Sequence, residues 1–362
     1  MTVFGVVVPT AEGIFNHGQC VQRHALSRTH HQPNACIRSG CIWQASSAAH
    51  AGSRYAANDV SPWSSTPPTY SGGMKIVIPG GTGQVGGILR RALAARGHEV
   101  VVLSRHAGAL EPGVRHTPWD GRSLGAWASE IDGADAVINL AGRTVSCRYT
   151  EENLRQMMDS RVESTRVVGE AIAKAAAPPR VWLQMSTATI YADRRDAPND
   201  ESTGIIGGHE PGVPGYWEYS VRIAQTWEAT QLTADVPETR KVQLRAAMVM
   251  SPDRGGVFDV LLRMVRLGLG GPVAGGRQYV SWIHDEDFVR AVELLLVREE
   301  LSGPVNLAAP EPLPQRDFMR VLRRAWGQPV GLPATKWMAE IGAFALRSDT
   351  ELLLKSRRVV PG

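Results

Sequence analysis

MKIVIPGGTGQVGGILRRALAARGHEVVVLSR runs from Met74 to Arg105. It opens on an apolar run, Ile76-Val77-Ile78, and passes into a glycine loop from Gly80 to Gly86. Val85, Ile88, Leu89, Ala92 and Leu93 then recur at the spacing of a helix with one buried face. Gly97 is placed to end that helix with a positive φ. A second apolar run, Val100 to Leu103, leads to Ser104-Arg105. Strand, glycine turn, helix and strand make a βαβ unit.

The glycine spacing has a physical reading. A pyrophosphate needs backbone N–H groups at a helix N-terminus, where the helix dipole also favours an anion. Gly80 serves the tight turn, Gly83 the approach of backbone to phosphate, and Gly86 the close packing of helix and strand. The cradle expected is Gly80, Gly81, Thr82, Gly83, Gln84, Val85 and Gly86. Binders of NAD place an acid at the end of the second strand for the ribose 2′-OH. Here Ser104-Arg105 stands instead, and arginine pairs with a 2′-phosphate. The cofactor expected is therefore NADP, ahead of NAD.

Outward from this unit, the chain has 362 residues, 43% hydrophobic, with a formal charge of +4 on 39 basic and 35 acidic residues. No long basic block argues for nucleic acid, and no 18-residue apolar stretch argues for a membrane span. Four cysteines, Cys20, Cys36, Cys41 and Cys147, form no disulfide framework, which suits a cytoplasmic protein. Residues 1–73 are rich in Ser, Ala, His and Pro and hold only Glu12 and Asp59 as acids. They read as a disordered or non-native extension, with Met74 directly before the first strand. Neither a transit peptide nor a metal site at His17, Cys20, His24, Cys36 and Cys41 has the required pattern; no metal is expected.

Further strands are expected to end at Trp119-Asp120-Gly121, to cover Asp135 to Gly142, Val181 to Met185 and Val242 to Met250, and to include Pro304 to Ala308. Helices are expected from Glu151 to about Ala177, stopped by Pro178-Pro179, and at Val257–Leu267, Phe288–Val297, Asp317–Trp326 and Lys336–Leu346. Asp287 is the expected cap of the third of these, and residues 192–215 read as a long functional loop.

Gly80-xx-Gly83-xx-Gly86, Asn139-Leu140-Ala141-Gly142 and Ser186-Thr187-Ala188-Thr189-Ile190-Tyr191 resemble the extended short-chain dehydrogenase/reductases. Gly268 to Pro272, Ser281 to Asp287, Asn306 to Pro312 and Leu352 to Pro361 are similar to a narrower group, the epimerase-like oxidoreductases with a C-terminal domain of unknown function. Members of that group usually extend beyond the equivalent of Gly362, so a missing final packing element is expected.

The resemblance implies a doubly wound Rossmann domain over 74–250, to which 192–218 adds part of a cleft, and a smaller α/β substrate lobe over 251–362. It implies hydride exchange between NADP and a small hydroxyl or carbonyl substrate. The family's substrates include nucleotide-sugars, though no residue here selects one. Asp120, Leu140, Ala141, Gly142, Ala246 and Met248 are the further cofactor residues by position, and Thr187 matches the hydroxyl that orients the reacting oxygen. The usual Tyr-xxx-Lys pair is not intact. Tyr219, the best-placed proton carrier, is followed four residues later by Ile223, and Tyr216 by Ser220. Arg222 is the nearby cation and cannot titrate as lysine does. His284 is expected to be structural. The resemblance leaves room for a homodimer. A non-catalytic NADP-binding sensor is the rival reading, marked by the broken pair, and a scaffold binding no nucleotide is a further one.

Overall fold

The computed structural model describes residues 72–106, 111–212, 214–345 and 351–362. The readings made on residues 1–71, including the candidate ligands His17, Cys20, His24, Cys36 and Cys41, lie outside these.

The expected βαβ unit forms as β1 (Lys75–Pro79), α1 (Gln84–Ala95) and β2 (Glu99–Ser104). Gly97 follows α1 with φ +84°. Next come β3 (Val114–Pro118), β4 (Ala136–Asn139), α2 (Glu151–Lys174), β5 (Val181–Thr187), α3 (Gly215–Leu232) and β6 (Arg240–Ala246). Thr150 caps α2, accepting from the Asn153 amide at 3.2 Å, and Glu151 and Glu152 fill its first turn. The remaining elements are β7 (Met248–Met250), α4 (Val257–Arg266), β8 (Tyr279–Val280), β9 (Trp282–His284), α5 (Asp285–Val297), β10 (Gly303–Leu307), β11 (Leu313–Pro314), α6 (Gln315–Trp326), α7 (Lys336–Ala345) and α8 (Glu351–Leu354).

Seven parallel strands lie in the order β10-β6-β5-β4-β1-β2-β3. This is the doubly wound Rossmann sheet, with its order reversing beside β1. Parallel strands are buried on both faces, so β1, β2 and β4 carry apolar runs whose alternate residues go to opposite cores. Ile76 and Ile78 face the helices α1 and α5, whereas Val77 faces α2. All three are 0% exposed, each contributing about 2 kcal/mol of burial. The strand expected over Val242 to Met250 is two strands. Ala247 turns aside to donate its N–H to Leu307 O at 3.0 Å, and β7 leaves the main sheet to pair with β9.

Asp287 does not cap α5. The helix begins two residues earlier, and His284 Nδ1 accepts from the Glu286 amide at 3.2 Å. His284 therefore fixes the start of α5. The loop after β5 is held at many points. Asp200 accepts from the Ser202 and Thr203 amides, Asn199 Oδ1 from Ile205, and Glu210 from Asp193 and Gly208. The last residues strap it down: Asn199 donates to Arg358 O and Val360 donates to Asn199 O. Among the described residues no helix is long and apolar enough to cross a membrane.

Candidate active site

A cavity of about 440 Å³ opens at the carboxyl ends of β1, β4, β5 and β6, where ligands of open α/β sheets sit. One wall is the start of α1. Gly80 has φ +76°, and a Cβ there would lie 2.6 Å from Ala141 Cα. Its N–H is spent on Leu103 O at 2.8 Å. Gly86 meets the loop rather than the strand: a Cβ would lie 2.5 Å from Gly81 O. Gly83 is different, with nothing nearer than 3.9 Å.

No side chain caps α1 and no acid stands in its first turn, whereas α2 and α5 have both cap and acids. Helix geometry leaves the first amides without intrahelical acceptors. Gly83, Gln84, Val85 and Gly86 all line the cavity. The Gly83 N–H is spent on Gly80 O at 3.4 Å, so the cradle a diphosphate fits is the open backbone at Gly83 followed by the amides of Gln84, Val85 and Gly86, with no competing carboxylate. Gln84 also ties the cradle to the loop before α4, its Nε2 donating to Asp253 O at 3.3 Å.

Of the other expected cofactor residues, Leu140, Gly142, Ala246 and Met248 line the cavity, while Gly81, Thr82, Ala141, Ser104, Arg105 and Asp120 do not. Ser104 and exposed Arg105 close β2, and the Ser104 hydroxyl donates to His106 O at 2.7 Å. Asp120 folds over its own turn, accepting from the Arg122 and Ser123 amides at 2.8 and 3.0 Å. Bonds from the Ser123 hydroxyl and those amides hold its carboxyl down at about 2.

Thr187 ends β5 on the cavity wall. Its Oγ1 accepts from the Thr189 amide at 3.1 Å. That bond uses a lone pair and leaves the hydroxyl proton to be donated. Behind it, Ser186 donates to Glu228 at 2.5 Å, and Arg245 grips the same carboxylate in a fork at 2.9 and 2.8 Å. Arg245 also donates to the Tyr191 hydroxyl at 2.9 Å, which donates to Asn306 at 3.0 Å. This buried network fastens the end of β5 to β6 and β10.

Tyr219 is not on the cavity wall. It packs against Leu154, Met157 and Ile223, with the Arg222 guanidinium 4.4 Å above its ring. Ser220 and Ile223 of the same helix do reach the cavity.

Sequence reasoning missed the far wall, which Gln278 to Ser281 and Glu351 to Arg357 build with α6. Lys355 donates to Thr189 O at 2.8 Å, and Arg357 Nε donates to Thr189 Oγ1 at 3.1 Å. Arg161 of α2 lies beside Gly142 and stacks on Trp227 at 4.9 Å. Loss of water pushes Arg161 down to about 10, and burial lowers Lys355 and Arg357 as well. A run of basic residues before the C-terminus was the only signal of this wall.

Residues 76–308 match the NAD dependent epimerase/dehydratase family. The human epimerase family protein SDR39U1 is 31% identical over 292 residues, 80% of this chain and 92% of its own. YfhF of Bacillus subtilis, another epimerase family protein, is 27% identical over 80% of this chain and 90% of its own. A crystal structure of human SDR39U1 with NADPH superposes with a TM-score of 0.68 at 29% identity, covering 80% of this chain and 91% of that one.

Proposed function

The chain belongs to the NAD dependent epimerase/dehydratase family, and from that premise we propose that it is an NADP-dependent oxidoreductase or epimerase acting on a small hydroxyl or carbonyl compound. The observation that carries this reading is the uncapped, acid-free N-terminus of α1, which opens into the same cavity as Thr187.

Gln84, Val85 and Gly86 hold the diphosphate of the dinucleotide by their backbone amides, and the bare Cα of Gly83 lets it approach. Ser104 and Arg105 meet the ribose 2′-phosphate at the end of β2, and arginine there favours NADP. Bound in this way, the nicotinamide supplies or accepts hydride at the substrate carbon. Thr187 donates a hydrogen bond to the reacting oxygen, keeping its own proton, and stabilises the charge that develops there, while the proton that balances the hydride comes ultimately from solvent. Met185, Ala246 and Met248 keep water from the reacting centre. Tyr219 we assign to packing between α2 and α3. The crystallised human relative with NADPH supports the choice of cofactor.

The test is titration of purified protein with NADPH and NADH, followed by a panel of small aldehydes and ketones with NADPH. Binding of NADPH ahead of NADH, with oxidation dependent on one carbonyl class, is expected. Tight binding with no turnover across the panel would turn the reading to a non-catalytic NADP sensor. Failure to bind either cofactor overturns both.

A further inference from the structure

The charges on the cavity wall fall into two groups. Arg161 lies beside Gly142 and donates to Met157 O and Arg143 O at 3.0 and 3.1 Å. Lys355 and Arg357 lie against the turn that follows Thr187, and both donate to Thr189. Glu351, Asp193 and Glu210 face that pair, so the cations there are answered by carboxylates of the protein itself. The remaining face, built by α4, β8 and α6 with Leu353, gives the cavity no charged side chain among the described residues.

The surface of that face is apolar. Val257, Val280 and Leu353 are partly exposed on it and pack on the buried Leu261, Phe318 and Met319. Its side-chain amides and its serine hydroxyl are already bonded to backbone. Gln278 Nε2 donates to Leu353 O at 2.9 Å and to Val273 O at 3.2 Å. Gln315 Oε1 accepts from the Val273 amide at 3.1 Å, and its Nε2 donates to Gly271 O at 3.4 Å. Ser281 Oγ donates to Arg357 O at 2.6 Å and accepts from the Val359 amide at 2.8 Å. Tyr279 stacks beneath the Arg358 guanidinium, 4.8 Å from its ring centre. A nucleobase, sugar or phosphate set against this face would lose its water and gain few partners.

The apolar surface begins beside the reacting centre. Thr187 and Ala246 are register partners in the main sheet, and Met248, two residues on, lines the cavity and packs on the same apolar cluster as Val257 and Val280. Resting on the function proposed above, we infer that the substrate is an uncharged carbonyl or hydroxyl compound with an apolar chain or ring. Its oxygen meets Thr187 and its apolar part lies against Val257, Val280 and Leu353. Removing that part from water supplies the binding energy, and the hydroxyl of Thr187 supplies the orientation.

The test uses full-length protein saturated with NADPH and titrated by calorimetry with acetamide, butanamide and hexanamide, unreactive carbonyl analogues of increasing apolar length, and with UDP. Affinity should rise about fourfold for each added methylene, the scale of one buried CH2, and hexanamide should bind more tightly than UDP. Val280→Thr puts a hydroxyl on this face at nearly constant volume. It should weaken hexanamide about threefold and leave acetamide and NADPH within about twofold. Equal affinity along the amide series, or binding of no amide, overturns the apolar seat. Tighter binding of UDP than hexanamide overturns it in favour of a nucleotide-linked substrate. Absence of NADPH binding would instead defeat the function from which the seat was inferred. The amide series needs no variant, so it decides even where Val280→Thr fails to fold.

Discussion

At the start of α1 the cavity wall is backbone, whereas at Lys355 and Arg357 it is side chain. The first wall is made within seven consecutive residues, Gly80 to Gly86, and carries no charge of its own. The second joins α8 and the last residues to a turn more than 160 positions earlier in the chain, through bonds such as Lys355 to Thr189. A backbone cradle with a dipole accepts any diphosphate. A wall of side chains around a hydroxyl can be selective, because each partner must lie at the right distance from the reacting carbon. Under the function proposed above, the backbone wall grips the cofactor and the side-chain wall faces the substrate.

The strongest way to break this division is at Gly86. Gly86→Ala sets a Cβ 2.5 Å from Gly81 O, and backbone cannot give way cheaply. A stability loss of about 3 kcal/mol and undetectable NADPH binding are expected from thermal unfolding and fluorescence titration. Gly83→Asp separates stability from binding. Its Cβ has room, and aspartate caps as well as glycine does, so stability should hold within about 0.5 kcal/mol. NADPH affinity should fall about a hundredfold, because a carboxylate takes the amides meant for phosphate. Binding that survives this change would show that the diphosphate rests elsewhere.

At the centre of the cavity, Thr187→Val should lower turnover by about thirtyfold, the scale of one lost oxyanion donor. NADPH affinity should be unaltered, and a loss of binding in step with turnover would make Thr187 structural. Arg105→Asp should weaken NADPH about tenfold more than NADH, and equal effects on the two would remove the 2′-phosphate contact. Tyr219→Phe is the smallest change. Activity should stay within about twofold, since the ring packs off the cavity wall; a large drop would return proton transfer to its hydroxyl.

Local pattern was enough wherever the physics is local. The bounds of β1, α1 and β2, the start of α2 at Glu151, and the end of α1 at Gly97 can all be read from periodicity, glycine and capping residues. Three features could not. The break between β6 and β7 comes from the Ala247 amide turning to Leu307 O, a partner 60 residues away. Asp287, expected to cap α5, yields to His284 because β9 runs directly into the helix and sets its first turn earlier. Tyr219 sits where a family tyrosine is expected, yet the rotation of α3 against α2 presents Ser220 and Ile223 to the cavity instead.

The dinucleotide cradle was legible in the linear chain because a glycine's missing side chain and a helix's unspent amides are properties of neighbouring residues. The far wall of the cavity was not. Lys355 reaches the cavity wall only because the fold removes its water and sets it beside Thr189, and no spacing within residues 351–362 records what lies across the cavity from them.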